Sequence, residues 1–202
     1  MIEKVYLELM LFLFILAFVI KTLQTWLSTK QRIRGHSKKI SITVSVSAIM
    51  YFLIFSRLFF WGPGEFLEVP VPGQVLKNTG LVLVTVGFIL GILAFISIKN
   101  SWRIAIHRNQ KTKLITKGIY KISRNPYFLS YDIFFLGYIF YFPSVILISL
   151  YILLVIVIHR IILDEERYLE SVHGTSYLAY KSNVNRYLTF KWKTFPGAQP
   201  SE

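Results

Sequence analysis

The side chains able to do chemistry lie in three short groups. Arg124, Asn125, Pro126 and Tyr127 run together, shortly after Gly118 and Tyr120. Asp132 stands six residues past Pro126, and His159 and Arg160 precede the run Asp164, Glu165, Glu166. A carboxylate can hold a cation or take a proton, a guanidinium can hold an anion, and a tyrosine face suits a cation. There is no Cys, so thiolate nucleophiles, disulfides and thiolate metal sites are excluded, and no metal is expected. Simpler roles exist for the same residues. Arg160 and Asp164 are spaced to pair on one helix face, and Asp132 could bond a neighbouring Tyr or Ser. Glu165 and Glu166 could open a solvated helix or face Arg167.

The elements that must position these groups are apolar helices. The 202 residues are 54% hydrophobic and 16% charged, which argues against disorder and against an ordinary soluble enzyme. A bilayer core about 30 Å thick needs roughly 20 apolar residues per helical crossing. Val5–Ile20 (extending to Trp26), Ile40–Trp61 and Thr79–Ile98 qualify. Tyr127–Leu163 is too long for one crossing, and Pro143 divides it into Tyr127–Tyr141 and Ser144–Leu163. The expected fold is all-α and polytopic: five transmembrane helices, the last two a hairpin, with a cytosolic loop and a C-terminal helical segment. Three regions follow, 1–98 with the first three helices, 99–190 with the loop, hairpin and C-terminal segment, and the tail 191–202.

Charge supports five crossings. Six basic residues and no acid lie from Lys21 to Lys39, and eight and none from Lys99 to Arg124. The loop from Gly62 to Asn78 holds one Lys with Glu65 and Glu68. The positive-inside rule then puts the N-terminus outside and the basic loop and C-terminus in the cytosol. The net charge of +13 is thus largely topological, with anionic lipid headgroups as fitting contacts and no call for nucleic acid. Arg57, near the outer end of the second helix, is expected to snorkel. Gly118 suits a left-handed turn, Asn125 an extended backbone, and Pro126 the first position of a helix.

Thr116-Lys117-Gly118-Ile119-Tyr120 followed by Arg124-Asn125-Pro126 resembles the integral-membrane methyltransferases, a group with isoprenylcysteine carboxyl methyltransferases and phospholipid N-methyltransferases. A second block, Glu165-Glu166 with Leu169, Gly174, Tyr177 and Tyr180, is similar to the family's Glu-Glu, Leu, Phe-Gly, Tyr, Tyr pattern. Trp102 and Arg103 match an upstream Trp. The likeness covers about residues 100–187. The chain departs from the pattern at Asn125 (usually His), Phe128 (Tyr), Ile161 (Arg) and His173 (Phe). Tyr127 sits one place before the usual Tyr, and one residue rotates a helical side chain by about 100°.

The resemblance implies S-adenosylmethionine as methyl donor, bound at the cytosolic ends of the last helices under a folded-over tail. Leu114, Gly118, Tyr120, Arg124, Asn125, Pro126, Tyr127, Glu165, Glu166, Tyr177 and Tyr180 would form its site. Arg160, Glu166 and Asp132 are the catalytic candidates. Arg160 would orient an anionic group, and a carboxylate or His159 would serve as base for an ammonium acceptor. The acceptor is expected to be lipophilic, a lipid or prenylated molecule methylated as isoprenylcysteine is. Alternatives are a phospholipid amine N-methyltransferase, a nicotinamide-dependent membrane reductase, or a non-enzymatic scaffold or transporter.

Overall fold

The computed structural model describes residues 2–30, 38–59, 73–99 and 114–189. Trp102, Arg103, Lys111–Lys113, most of the Pro- and Gly-rich loop and the tail 191–202 lie outside the described residues. Five α-helices follow in order: α1 (Ile2–Thr29), α2 (Lys38–Phe59), α3 (Gly73–Ile98), α4 (Pro126–Tyr141) and α5 (Val145–Asn183). A 3-10 turn, Gly118–Lys121, precedes α4. No strand occurs among the described residues, so the fold is all-α as the hydropathy predicts.

Four of the helices are long and apolar enough to cross a membrane: α1, α2, α3 and α5. The fifth, α4, has 16 residues and rises about 24 Å, a little short of the hydrocarbon. It borrows length from α3, against which it lies antiparallel. The register is set by small residues. Gly80 meets Gly137 and Tyr141, Gly87 meets Phe134, and Gly91 meets Ser130. Glycines at 80, 87 and 91 fall on one face of α3 and let the backbones touch, as membrane helices require when no hydrophobic force drives them together.

The hairpin at Pro143 forms as expected, but its two legs take different partners. α4 packs mainly on α3, and α5 mainly on α2. One end of the bundle is tied by Tyr141 donating to Glu3 (2.8 Å) and Gln74 to Glu3 (3.2 Å). Arg57 rests 5.9 Å from the Phe142 ring at that end, so its guanidinium has an aromatic seat there. The opposite end carries the start of α2, joined to α5 by the ion pair Lys39–Asp164. Arg167 takes the other Asp164 oxygen at 2.7 Å. Asp164 therefore pairs across to α2 and along α5 to Arg167, while Arg160 is exposed.

The expected boundary at Leu163 needs correction. The apolar part of α5 stops there, but the helix continues to Asn183. Nothing in Asp164–His173 breaks a helix, and Asp164 and Arg167 support it three residues apart. Glu165 and Glu166 thus project from a continuing helix beyond its apolar span, not from a helix start. The break comes at Gly174, where φ is 51° and ψ −124°.

Candidate active site

The loop entering α4 is shaped by two residues. Gly118 has φ of 64°, the left-handed value its position demands, and a Cβ there would sit 2.6 Å from the Ser97 hydroxyl. Pro126 opens α4. Between them, Tyr120 is buried and its carbonyl accepts a 2.6 Å bond from the Tyr180 hydroxyl.

Arg124 reaches Glu166 with Nη2 (2.8 Å) and Nε (3.2 Å), both on Oε1. Arg186 grips the same carboxylate with Nη2 on Oε2 (2.8 Å) and Nε on Oε1 (3.1 Å). The Arg124 and Glu166 side chains are 7% and 6% exposed, so the pair is withdrawn from solvent. Arg124 also gives Nη1 to the carbonyls of Lys181 and Val184, each at 3.1 Å. Burial pushes the Glu166 carboxyl up, but the hydrogen bonds from Arg186 and Arg124 outweigh it and hold the group below its ordinary value. A buried carboxylate is tolerated here because two guanidiniums face it.

The segment after α5 folds back as a strap over the α4 entrance. Arg124 N donates to Asn185 O (3.1 Å), Thr189 N to Ile122 O (2.9 Å), and Ser123 Oγ and Asn125 Nδ2 both to Arg186 O (3.2 Å). Asn125, standing where the family usually has His, therefore acts by tying the strap down. Tyr187 adds a 2.6 Å hydroxyl contact to His159 Nδ1.

Beside the Arg124–Glu166 pair lies a cavity of about 450 Å³. Its polar end is walled by Tyr120, Arg124, Asn125, Glu165, Glu166, Tyr177 and Tyr180. Its apolar end is lined by Phe18 and Val19 of α1 and by Val44 and Ala48 of α2. Leu114, Pro126 and Tyr127 also face the cavity. Ten of the eleven residues expected to form the donor site are thus gathered on one wall; Gly118 instead turns the loop that brings them there. Both Tyr127 and Phe128 line the cavity, so the one-place shift leaves an aromatic ring in it. Among the described residues, the wall does not include Arg160 or Asp132. Asp132 Oδ1 is buried without a hydrogen-bond partner among the described residues.

The two glutamates differ in chemistry. Both oxygens of Glu166 are engaged by arginines, whereas Glu165, half-buried, lines the cavity. Burial, and then the neighbouring Glu166 charge, push the Glu165 carboxyl up to about 7. The Tyr177 hydroxyl is buried and lacks a hydrogen-bond partner among the described residues. Burial also raises the Tyr120, Tyr177 and Tyr180 hydroxyls, which are neutral near pH 7. An uncommitted carboxylate, an unsatisfied hydroxyl and the rings of Tyr127 and Phe128 fit a cationic polar ligand such as a sulfonium nucleoside.

Sequence reasoning missed the strap residues Arg186 and Tyr187, and the cavity residues Ser47, Tyr51 and Tyr131. The run Ser41, Thr43, Ser45, Ser47 within an apolar helix was a signal for the second set, since hydroxyls there alternate where an apolar residue would serve. Arg186 had no signal beyond its place after the Tyr177/Tyr180 block.

The chain is thus a helical bundle with membrane-length helices and one cavity lined by both polar and apolar side chains. Residues 76–176 match the family model described as phospholipid methyltransferase. That is half of the chain, and the chain belongs to this family of membrane methyltransferases. No curated protein matches the sequence.

Proposed function

We propose that the protein transfers a methyl group from S-adenosylmethionine to a lipophilic acceptor at the cytosolic membrane face. The carrying observation is one cavity lined both by the Glu165 carboxylate at its polar end and by apolar residues of α1 and α2. The donor supplies a methyl carbon made electrophilic by a sulfonium sulfur. Glu165 would hold positive charge, Tyr177 would donate or accept a hydrogen bond, and Tyr127 and Phe128 would cover the cation. The clasp of Arg124, Arg186 and Glu166 would keep the strap closed and water out. Residues 99–190 carry this region, and the helices within 1–98 close the acceptor end.

The transfer forms a bond from the acceptor's lone pair to the methyl carbon as the methyl–sulfur bond breaks, its electron pair staying on sulfur. Orientation and dryness are the main requirements. A carboxylate acceptor, as in a prenylated cysteine, needs no base. A phospholipid amine, which the family's description favours, must first lose a proton, and Glu165 is the carboxylate of the wall placed to take it. Asp132 and Arg160 would act from outside the described wall, as positioning groups. The basic loops support a cytosolic position for the cavity's polar end.

The test is calorimetry on the detergent-purified protein with S-adenosylmethionine, S-adenosylhomocysteine and NADPH, then labelled-methyl transfer into a total lipid extract. Binding of the first two is expected. Binding of NADPH alone would make the protein a reductase, and binding of none would leave a scaffold or transporter.

A pH dependence follows from Glu165. Its native pKa is raised, so the folded protein keeps this proton as pH rises through the ordinary carboxylate range and loses it near 7. Stability contributed by the protonated form is full at low pH and lost as pH rises through about 7. A cationic ligand prefers the ionised form, so affinity for S-adenosylmethionine should rise by up to about tenfold from pH 6 to pH 8. Glu165→Gln should flatten that profile in titration calorimetry; an unchanged slope would remove Glu165 from the donor site.

A further inference from the structure

The apolar end of the cavity is not uniformly apolar. Ser47 and Tyr51 of α2 and Tyr131 of α4 all line it. Tyr51 and Tyr131 each carry a hydroxyl able to donate, and Ser47 donates its own proton to the Thr43 carbonyl at 2.6 Å. Ser47 and Tyr131 are buried. Tyr131 lies five residues into α4 past Pro126, hence about 8 Å into the bundle from the polar end. Hydroxyls at this depth are costly unless used. They come from α2 and α4, two helices that share few direct contacts, and line one cavity.

We propose that Ser47, Tyr51 and Tyr131 form a subsite that binds an acceptor oxygen next to the reacting atom, either a carboxylate or a phosphate-ester oxygen. This rests on the methyl-transfer reading above. Each tyrosine hydroxyl can turn its proton onto an incoming oxygen without moving its ring. The acceptor's chain then lies along Val19, Val44 and Ala48, and its head is fixed below the donor pocket. These three residues position the acceptor and leave the donor to the polar end.

The experiment compares wild type with Tyr131→Phe and Ser47→Ala in detergent, using three probes: a prenylated cysteine with a free carboxylate, phosphatidylethanolamine, and a long-chain thiol without oxygen. Whichever oxygen-bearing probe the wild type methylates identifies the source of the oxygen. Tyr131→Phe should raise KM for that probe about tenfold, the loss of one hydrogen bond to a charged group, and Ser47→Ala by less, since the Ser47 proton is held by the Thr43 carbonyl; kcat should change less in both. The thiol's KM and the affinity for S-adenosylmethionine should stay within about twofold. Equal penalties for the thiol, unchanged KM, or parallel loss of donor affinity would reduce the trio to a structural stitch. A melting temperature for each variant guards against misfolding, and Tyr51→Phe gives a second conservative probe. If the wild type fails to bind S-adenosylmethionine, it is the methyl-transfer reading that falls. The subsite is then read by thermal shift with the same three probes, and it stands only if the variants lose the shift from an oxygen-bearing probe alone.

Discussion

Glu166→Ala should abolish donor binding and lower stability by about 3–5 kcal/mol, the usual result of removing one partner from a buried ion cluster. The size follows from what is left behind. Arg124 would keep a buried guanidinium facing Arg186 with no anion between them, and only the Lys181 and Val184 carbonyls would satisfy it. The strap would lose its ion-pair anchor and retain the backbone bonds at Arg124 and Thr189, the Ser123 and Asn125 bonds to the Arg186 carbonyl and the Tyr187–His159 contact. Glu166→Gln, which keeps an acceptor oxygen but no charge, should fall between. Glu165→Gln is the informative contrast, because among the described residues no guanidinium pairs with Glu165 and desolvation disfavours its charge. That variant should hold or raise the melting temperature in detergent while weakening the donor. Equal destabilisation by the two glutamine variants would refute the division of labour. Acid should mimic the first variant. Glu166 has a depressed native pKa, so its stabilisation is present above the ordinary carboxylate range and lost as pH falls through the lowered value.

Gly137→Ala should prevent assembly of α4 on α3. An added Cβ would lie 2.6 Å from Val84 N and 2.8 Å from Gly80 O, both backbone atoms that cannot swing aside. Overpacking against mobile side chains typically costs about 1–3 kcal/mol, and here the whole helix pair must separate. Loss of monodisperse protein on size-exclusion chromatography is expected. Gly91→Ala is the graded comparison. Its nearest neighbour is a ring carbon of Phe14 at 3.0 Å, a side chain with room to adjust. If both variants purify and melt alike, backbone contact is not what fixes the α3–α4 register.

Much of this architecture was legible because it depends on local properties. Apolar length set the helices, Pro143 set the hairpin turn, and Gly118 and Pro126 set the loop and the start of α4. These are steric and solvation properties of a few adjacent residues. The block from Arg124 to Tyr127 and the pair Glu165/Glu166 stood out as site candidates for the same reason: charge so near a hydrocarbon span needs a partner or a task.

What the sequence left open was decided by contacts between distant segments. Residue types could not say that Arg124 and Arg186 both close on Glu166 while Glu165 stays with the cavity, since adjacent helical positions differ only by the about 100° turn between them. Nor could they show that Arg160 faces outward and that Lys39 claims Asp164. Ser47, Tyr51 and Tyr131 line one cavity because α4 packs on α3 and α5 on α2, leaving a space between the hairpin's legs. Helix existence is written residue by residue, but which faces meet depends on how five helices share one volume.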